Sequence, residues 1–238
     1  MRSIADIHCH ILPYVDDGAE HAAEMEKMLT SQAEQHVEVI CFTPHLRTGM
    51  FTSSDEDVRR RFGQAEEFVR RRQLPIRLFL GREYYCNEEF LERLEAGSLL
   101  TLGGGDALLM EFSGRCDADA ICEYIKRAKQ AGYQPLAAHV ERYPAIGANA
   151  DQVKRLIDAG AKIQINASSL LGHEGIRQKL FCWKLMKLGL VDVVASDAHD
   201  PQYRPPVLGE CAHRIETKMG QACAQKVLWD NPLKILSL

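Results

Sequence analysis

Short runs of apolar, β-prone residues at 4–7, 37–42, 76–80, 108–112, 135–138, 163–165 and 191–195 alternate along the chain with longer stretches in which apolar residues recur at helical spacing, such as 20–35, 55–72, 118–131, 150–159 and 176–188. This alternation predicts βα units, and βα units predict parallel strands. Gly132, Gly160 and Gly189 stand at the exits of three helical stretches, where a left-handed residue ends the helix before the next strand. Residues from Trp229 onward read as the end of a last helix and a short packing segment. No internal repeat, linker or low-complexity segment interrupts the pattern. About seven βα units in 238 residues favour a closed or nearly closed barrel over an open doubly wound sheet, as one domain spanning residues 1–238. No Gly-x-Gly-x-x-Gly turn follows the first strand, and Gly103-Gly104-Gly105 lacks the lysine and hydroxyl of a phosphate loop, so nucleotide folds lose ground.

Composition narrows the class. The balance of 29 basic against 33 acidic residues gives a formal charge of −4. Its only basic runs, Arg59-Arg60-Arg61 and Arg70-Arg71-Arg72, lie in a Glu-rich helical stretch and read as a solvated face, so no nucleic-acid surface is expected. Eight cysteines are scattered singly with no Cys-x-x-Cys pair, which fits reduced thiols better than a disulfide scaffold. No secretory signal is recognisable and no apolar run approaches the roughly 18 residues of a membrane span. A soluble, cytoplasmic protein without membrane insertion is expected.

Metal-ligand residue types cluster just beyond the apolar runs. His8 and His10 are two apart, so on an extended strand both rings point to one face and can grip one ion, while Cys9 points away into the packing. A bare His-x-His is modestly specific, since alternating histidines also occur on solvent-facing strands. Here Asp16-Asp17-Gly18 follows in a loop, His45 ends Thr43-Pro44-His45, Glu83 ends Gly81-Arg82-Glu83, Glu111 and His139 close two further runs, and Asp197 and His199 stand in Ser196-Asp197-Ala198-His199. Singly, most have an ordinary explanation: a turn-initiating Asp17, a surface Glu83, a hydrogen-bonded core His139. Together, five of the nine histidines with Asp17, Glu83, Glu111 and Asp197 make nine candidate ligands on one predicted rim. His21, His36, His173 and His213 fall in helical or loop segments and are given no such role.

Nine nitrogen and oxygen donors exceed the needs of one tetrahedral zinc, and no thiolate is among them, so two or three harder divalent ions are implied. Such a cationic pocket attracts phosphate. Arg142 and Arg204 lie three and five residues beyond His139 and His199, and a guanidinium can take two phosphate oxygens at once. Arg47 is a weaker candidate. With no Gly-x-Ser-x-Gly and no Cys-x5-Arg loop, hydrolysis would have to come from metal-bound water.

In their order, these segments resemble the polymerase-and-histidinol-phosphatase (PHP) superfamily of distorted seven-stranded α/β, TIM-like barrels with a two- or three-metal site. Within it, residues 6–13, 15–18, 43–45, 139–144, 196–199 and 204–206 are similar to the bacterial capsule-type protein-tyrosine phosphatases. The resemblance implies a manganese-preferring cluster of three divalent ions, with iron or zinc as alternatives, on His8, His10, Asp17, His45, Glu83, Glu111, His139, Asp197 and His199. It implies that Arg142 and Arg204 face the phosphate. Val140 stands where relatives often carry proline. The implied activity is hydrolysis of protein phosphotyrosine, with the autophosphorylated tail of a bacterial tyrosine kinase controlling polysaccharide export as partner. The histidinol-phosphate phosphatases share much of the ligand set and give the alternative. A catalytically silent metal-binding PHP domain is a further one, opposed by the filled ligand set. The 11–17 signature and Arg204-Pro205-Pro206 favour the tyrosine branch. The expected mechanism is in-line attack by a hydroxide bridging two ions at the trinuclear site, with Arg142 and Arg204 neutralising phosphate oxygens. His10, His199 or a metal-bound water are the candidates for general acid. A metal-dependent amidohydrolase would share the His-x-His start but lacks a lysine ligand candidate here.

Overall fold

The computed structural model describes residues 3–238. Nine short strands run β1 Ile4–Asp6, β2 Val37–Phe42, β3 His45–Leu46, β4 Arg77–Leu80, β5 Glu83–Tyr85, β6 Ala107–Glu111, β7 Gln134–Ala137, β8 Lys162–Asn166 and β9 Val193–Ala195. The helices are α1 Ala22–Glu34, α2 Asp55–Arg72, α3 Glu88–Glu95, α4 Ala118–Gln130, α5 Ala150–Asp158, α6 Ala167–Leu171, α7 Ile176–Lys187, α8 Leu208–Met219, α9 Gln221–Gln225 and α10 Asn231–Ile235. Every strand pairing is parallel, in a three-stranded sheet ordered β1-β2-β4 and a six-stranded sheet ordered β3-β5-β6-β7-β8-β9. The result is an α/β fold whose parallel sheet curls into a half-barrel.

Seven unbroken strands are not what forms. The runs at 37–42 and 76–80 each acquire a second short segment, β3 and β5, on the far side of Thr43-Pro44 and Gly81-Arg82. Pro44 has no amide to donate, which interrupts the ladder. Gly81 donates to Phe42 O at 2.8 Å and Glu83 donates to Pro44 O at 3.2 Å, so the two strands stay in register across the break. At the other edge, Asp197 donates to His8 O at 2.9 Å and His10 donates to Ala198 O at 2.8 Å, linking the exits of β1 and β9.

Local sequence explains the helices. Ser54 caps α2 by accepting from Asp57 N, with Asp55, Glu56 and Asp57 in the first turn and Arg70, Arg71 and Arg72 in the last. That arrangement complements the helix dipole and accounts for the second arginine triplet. Gly132, Gly160 and Gly189 take φ of +90°, +110° and +68°, as their positions predict. Inside the curl, Ala5, Ile7, Val39, Leu109, Leu136 and Val193 form one apolar layer, against which Ile235 and Leu236 of the tail pack. Burying one such aliphatic side chain contributes about 1.5–3 kcal/mol. The eight cysteines are all free, six of them buried. Among the described residues no helix is long and apolar enough to cross a membrane.

Candidate metal centre

The strand ends carry the site. Asp6, the last residue of β1, is fully buried and accepts from Ser196 N at 3.0 Å, Ser196 Oγ at 2.5 Å and Gln32 Nε2 at 2.7 Å. This clasp holds the exits of β1 and β9 together, so that His8 and His10 meet Asp197 and His199. His45 opens β3 directly opposite Glu83, which opens β5, and Tyr85 pairs with Glu111 at the end of β6. His139 and Asp197 follow β7 and β9 in backbone conformations with φ of +31° and +50°, which non-glycine residues rarely adopt. Gly18 presses on His10 so closely that a Cβ there would lie 1.9 Å from His10 O, and this contact brings the Asp16-Asp17 loop onto the rim.

All nine sequence-predicted donors come together, in four overlapping groups: His10, Asp17, His45 and His199; His8, His10 and Asp197; His8, Glu83 and His139; His45, Glu83 and Glu111. Within each group the donor atoms lie within 4.8 Å of one another. Glu83 is the hub. Its Oε2 stands 3.3 Å from both His8 Nε2 and His10 Nε2 and 2.9 Å from His45 Nδ1, while Oε1 is 2.9 Å from His139 Nε2. Asp17 Oδ1 lies 3.6 Å from Nε2 of both His45 and His199. Arg142 Nη1 and Arg204 Nη2 both donate to Asp197 Oδ2, at 3.1 and 2.8 Å, so the two guanidiniums converge beside the cluster.

The charges compete strongly. Burial lowers the pKa of His8, but Glu83 and Asp197 more than offset it and raise it to about 9. Burial likewise opposes protonation of His45, and Glu83 with Asp16 and Glu111 raises it to about 10. Burial pushes Glu83 upward, yet His8 and His45 hold it well below the ordinary carboxylate range. Glu111 is raised by burial and by Glu83. His199 is held well below its usual value by burial and by the neighbouring His10.

The donor set suits divalent cations. His45 Nδ1, Glu83 Oε2, Glu111 Oε2, His139 Nδ1 and His199 Nε2 are buried atoms without a hydrogen bond. All five residues belong to the groups above, and a buried polar atom without a hydrogen bond costs about 1–3 kcal/mol unless a partner fills it. Nitrogen and carboxylate oxygen donors without thiolate match ions of intermediate to hard character.

A supporting layer escaped the sequence reading. Gln164, fully buried on β8, accepts from His139 N at 2.7 Å, and its Oε1 lies 3.0 Å from His8 Nδ1. Its Nε2 donates to Asn166 Oδ1 at 2.8 Å, and Asn166 Nδ2 donates to Asp197 Oδ2 at 2.7 Å. The signal was present in Gln164 and Asn166, polar residues alternating with Ile163 and Ile165 on a buried strand. Asp16 holds His10 Nδ1 at 2.7 Å and accepts from His45 N at 2.9 Å, which leaves Nε2 of His10 for the centre. Arg82, 1% exposed, donates to His45 O at 3.1 Å, to Asp55 Oδ1 at 3.0 Å and to Ser53 O, strapping the start of α2 to the site. Arg47 lies with its guanidinium 4.1 Å from the centre of the Tyr85 ring. His21 caps α1 by accepting from Glu24 N.

Comparison with known proteins adds an independent line. A family profile described as capsular polysaccharide synthesis, CpsB/CapC, matches residues 4–237. The chain is 33% identical over 236 residues to the tyrosine-protein phosphatase CpsB of Streptococcus pneumoniae, covering 97% of each chain. It is 31% identical over 219 residues to the tyrosine-protein phosphatase YwqE of Bacillus subtilis (strain 168), covering 90% of this chain and 85% of that one. It superposes with a TM-score of 0.90 and 29% identity on a chain from the crystal structures of YwqE from Bacillus subtilis and CpsB from Streptococcus pneumoniae, described as unique metal-dependent tyrosine phosphatases, over 98% of this chain and 94% of that one.

Proposed function

The chain belongs to the CpsB/CapC family of capsular polysaccharide synthesis, and on that premise we propose that it is a metal-dependent tyrosine-protein phosphatase. The observation that carries the proposal is the convergence of nine nitrogen and oxygen donors with two arginines at one rim. The rim is open: the Asp17 side chain is 49% exposed, and Arg142 and Arg204 are 40% and 38% exposed. An open rim suits phosphotyrosine presented on a polypeptide better than a small phosphate ester enclosed by a lid. We read the nine strands as seven positions of a distorted barrel in one domain, with β2 and β3, and β4 and β5, each one interrupted strand.

We assign His8, His10, Asp17, His45, Glu83, Glu111, His139, Asp197 and His199 as ligands of three divalent ions, manganese foremost, with iron or zinc as substitutes. When bound, the ions supply Lewis-acid activation of the attacking water and neutralise phosphate charge. Asp197 holds Arg142 and Arg204 in place, and their guanidiniums bind the phosphate oxygens in the bidentate manner open to arginine. Gln164 fixes His8 with Nδ1 outward and Nε2 toward the cluster. His10 has Nδ1 beside Asp16 and His199 has Nδ1 beside Asp197 O, so as ligands both would offer Nε2 to a metal rather than a proton to a leaving group. Little is needed, because a phenol with a pKa near 10 departs more easily than an alkoxide. A phosphotyrosyl tail of a bacterial tyrosine kinase is the proposed partner.

The test compares initial rates on a phosphotyrosyl peptide and on histidinol phosphate, with manganese and after metal removal. Manganese-dependent preference for the peptide is expected. Strong preference for histidinol phosphate would move the chain to small-molecule chemistry, and turnover of neither with metal bound would end the substrate assignment.

A further inference from the structure

The first arginine triplet does not simply face solvent. Arg60 and Arg61 line a cavity of about 800 Å³ whose other walls include Tyr14, Met50 and Phe51, and whose floor includes Asp16. Two residues of this groove touch donors of the metal centre. The Phe51 ring stacks on His45 at 5.2 Å between ring centres and 12° between planes, and Asp16 is the residue that holds His10. Tyr14 is held 60% exposed at the rim with φ of +66°, an uncommon conformation for an aromatic residue. The Arg61 guanidinium lies 4.7 Å from the centre of the Tyr14 ring and forms no ion pair among the described residues. Met50 adds a second exposed apolar side chain, 61% accessible.

We infer that this groove binds the polypeptide flanking the phosphotyrosine and favours an acidic residue close to it, an inference that rests on the tyrosine-phosphatase reading. The carboxylates in the groove are already engaged: Asp16 by His10 and the His45 amide, Asp57 by Arg60 at 2.6 Å and by Ser54. The uncommitted charge is therefore positive. The cavity beside Arg204 measures about 80 Å³ and is bordered by Glu174 and Asp197, which leaves less room and less positive charge for an acidic chain. Alternate side chains of an extended peptide share a face at a spacing of about 6.6–7 Å, so the flanking positions facing the same way as the phosphotyrosine are the ones set toward the groove. Tyr14 and Met50 contact their apolar parts, and Arg61 attracts the carboxylate, with Arg60 held beside it by Asp57.

The test uses two phosphotyrosyl peptides that differ only in glutamate or lysine at the flanking positions, assayed with the manganese-loaded wild type and with the double variant Arg60→Glu, Arg61→Glu. The wild type is expected to prefer the glutamate peptide by about five-fold in kcat/KM, through KM, as one or two exposed ion pairs allow. Raising the salt to 0.5 M shrinks that preference, since exposed pairs are screened at a Debye length of only several ångströms. The double variant is expected to invert it. Equal rates on both peptides, or the same preference in both proteins, overturn the inference. Should the variant fail to fold, the preference of the wild type and its salt dependence decide alone. If p-nitrophenyl phosphate is hydrolysed but neither peptide is, the tyrosine reading itself falls, and the groove inference with it; turnover of both peptides at equal rates overturns the groove alone.

Discussion

Replacing Gln164 by methionine isolates the layer that orients the ligands from the ligands themselves. Methionine has nearly the same length and volume, so packing on β8 is kept, while three polar groups lose their partner: His139 N, His8 Nδ1 and Asn166 Oδ1. All three residues are buried, with 4% exposure or less. A buried donor or acceptor left unpaired costs about 1–3 kcal/mol, so with partial relaxation the metal-free variant should lose roughly 3–6 kcal/mol of stability. The same change frees the His8 ring to rotate and its tautomer to switch, and removing a partner of this kind lowers metal affinity by about 10–100-fold. That corresponds to about 1.4–2.7 kcal/mol. Urea denaturation of the chelated protein measures the first quantity and competition titration with Mn²⁺ the second. A variant that is destabilised but binds Mn²⁺ within two-fold of wild type would refute the orienting role and leave Gln164 a structural residue.

Asp17→Ala should abolish turnover while changing stability by no more than about 0.5 kcal/mol, because the side chain is half exposed; kinetics and a melting curve on the same preparation check this. Gly18→Ala should lower metal occupancy as well as activity, since the added carbon collides with His10 O, and metal analysis of the dialysed variant tests it. Chelation should remove activity and Mn²⁺ should restore it, as rate recovery after dialysis will show. In the metal-free protein the pKa of His8, about 9, and of His45, about 10, exceed the ordinary value near 6.5. Their contribution to stability is thus fully present below pH 6.5 and lost as pH rises through 9 to 10, so the urea midpoint should fall over that window. Mn²⁺ affinity should rise over the same window, about ten-fold per pH unit for each proton released, as a titration at several pH values will reveal.

Much of this was legible in the chain. The βα rhythm and the left-handed helix exits are local signals, and each follows from side-chain periodicity or from glycine's freedom. Most of the nine candidate donors were legible because they follow closely on the apolar runs that the hydrophobic pattern marks, whereas Asp17 is brought in by a loop. The two breaks in the sheet were harder: Thr43-Pro44 and Gly81-Arg82 carry turn residues, but which sheet the following segment joins depends on pairing between His45 and Glu83, residues 38 apart. Gln164 and Asn166 are easily passed over because a glutamine flanked by isoleucines looks like an ordinary alternating strand, and only the curl of the sheet turns that face toward His8. The Arg59-Arg60-Arg61 run was read from its own helix, whereas Arg61 takes its meaning from Tyr14, which a distant loop brings to it.

Arg82 separates two jobs. Its buried guanidinium joins the backbone at His45 to the backbone and side chains at Ser53 and Asp55, so the groove segment between them is hung from one fixed bracket. Residues 47–50 and 52 can then change in sequence with the bracket kept. On the proposed reading, the bracket divides a segment for recognition from the strand ends assigned to catalysis. Relatives that keep Arg82, Ser53 and the acid at position 55 while diverging in the suspended segment are expected to share one chemistry and differ in the polypeptides they serve, and grafting that segment between them is the direct route to a phosphatase with a new target.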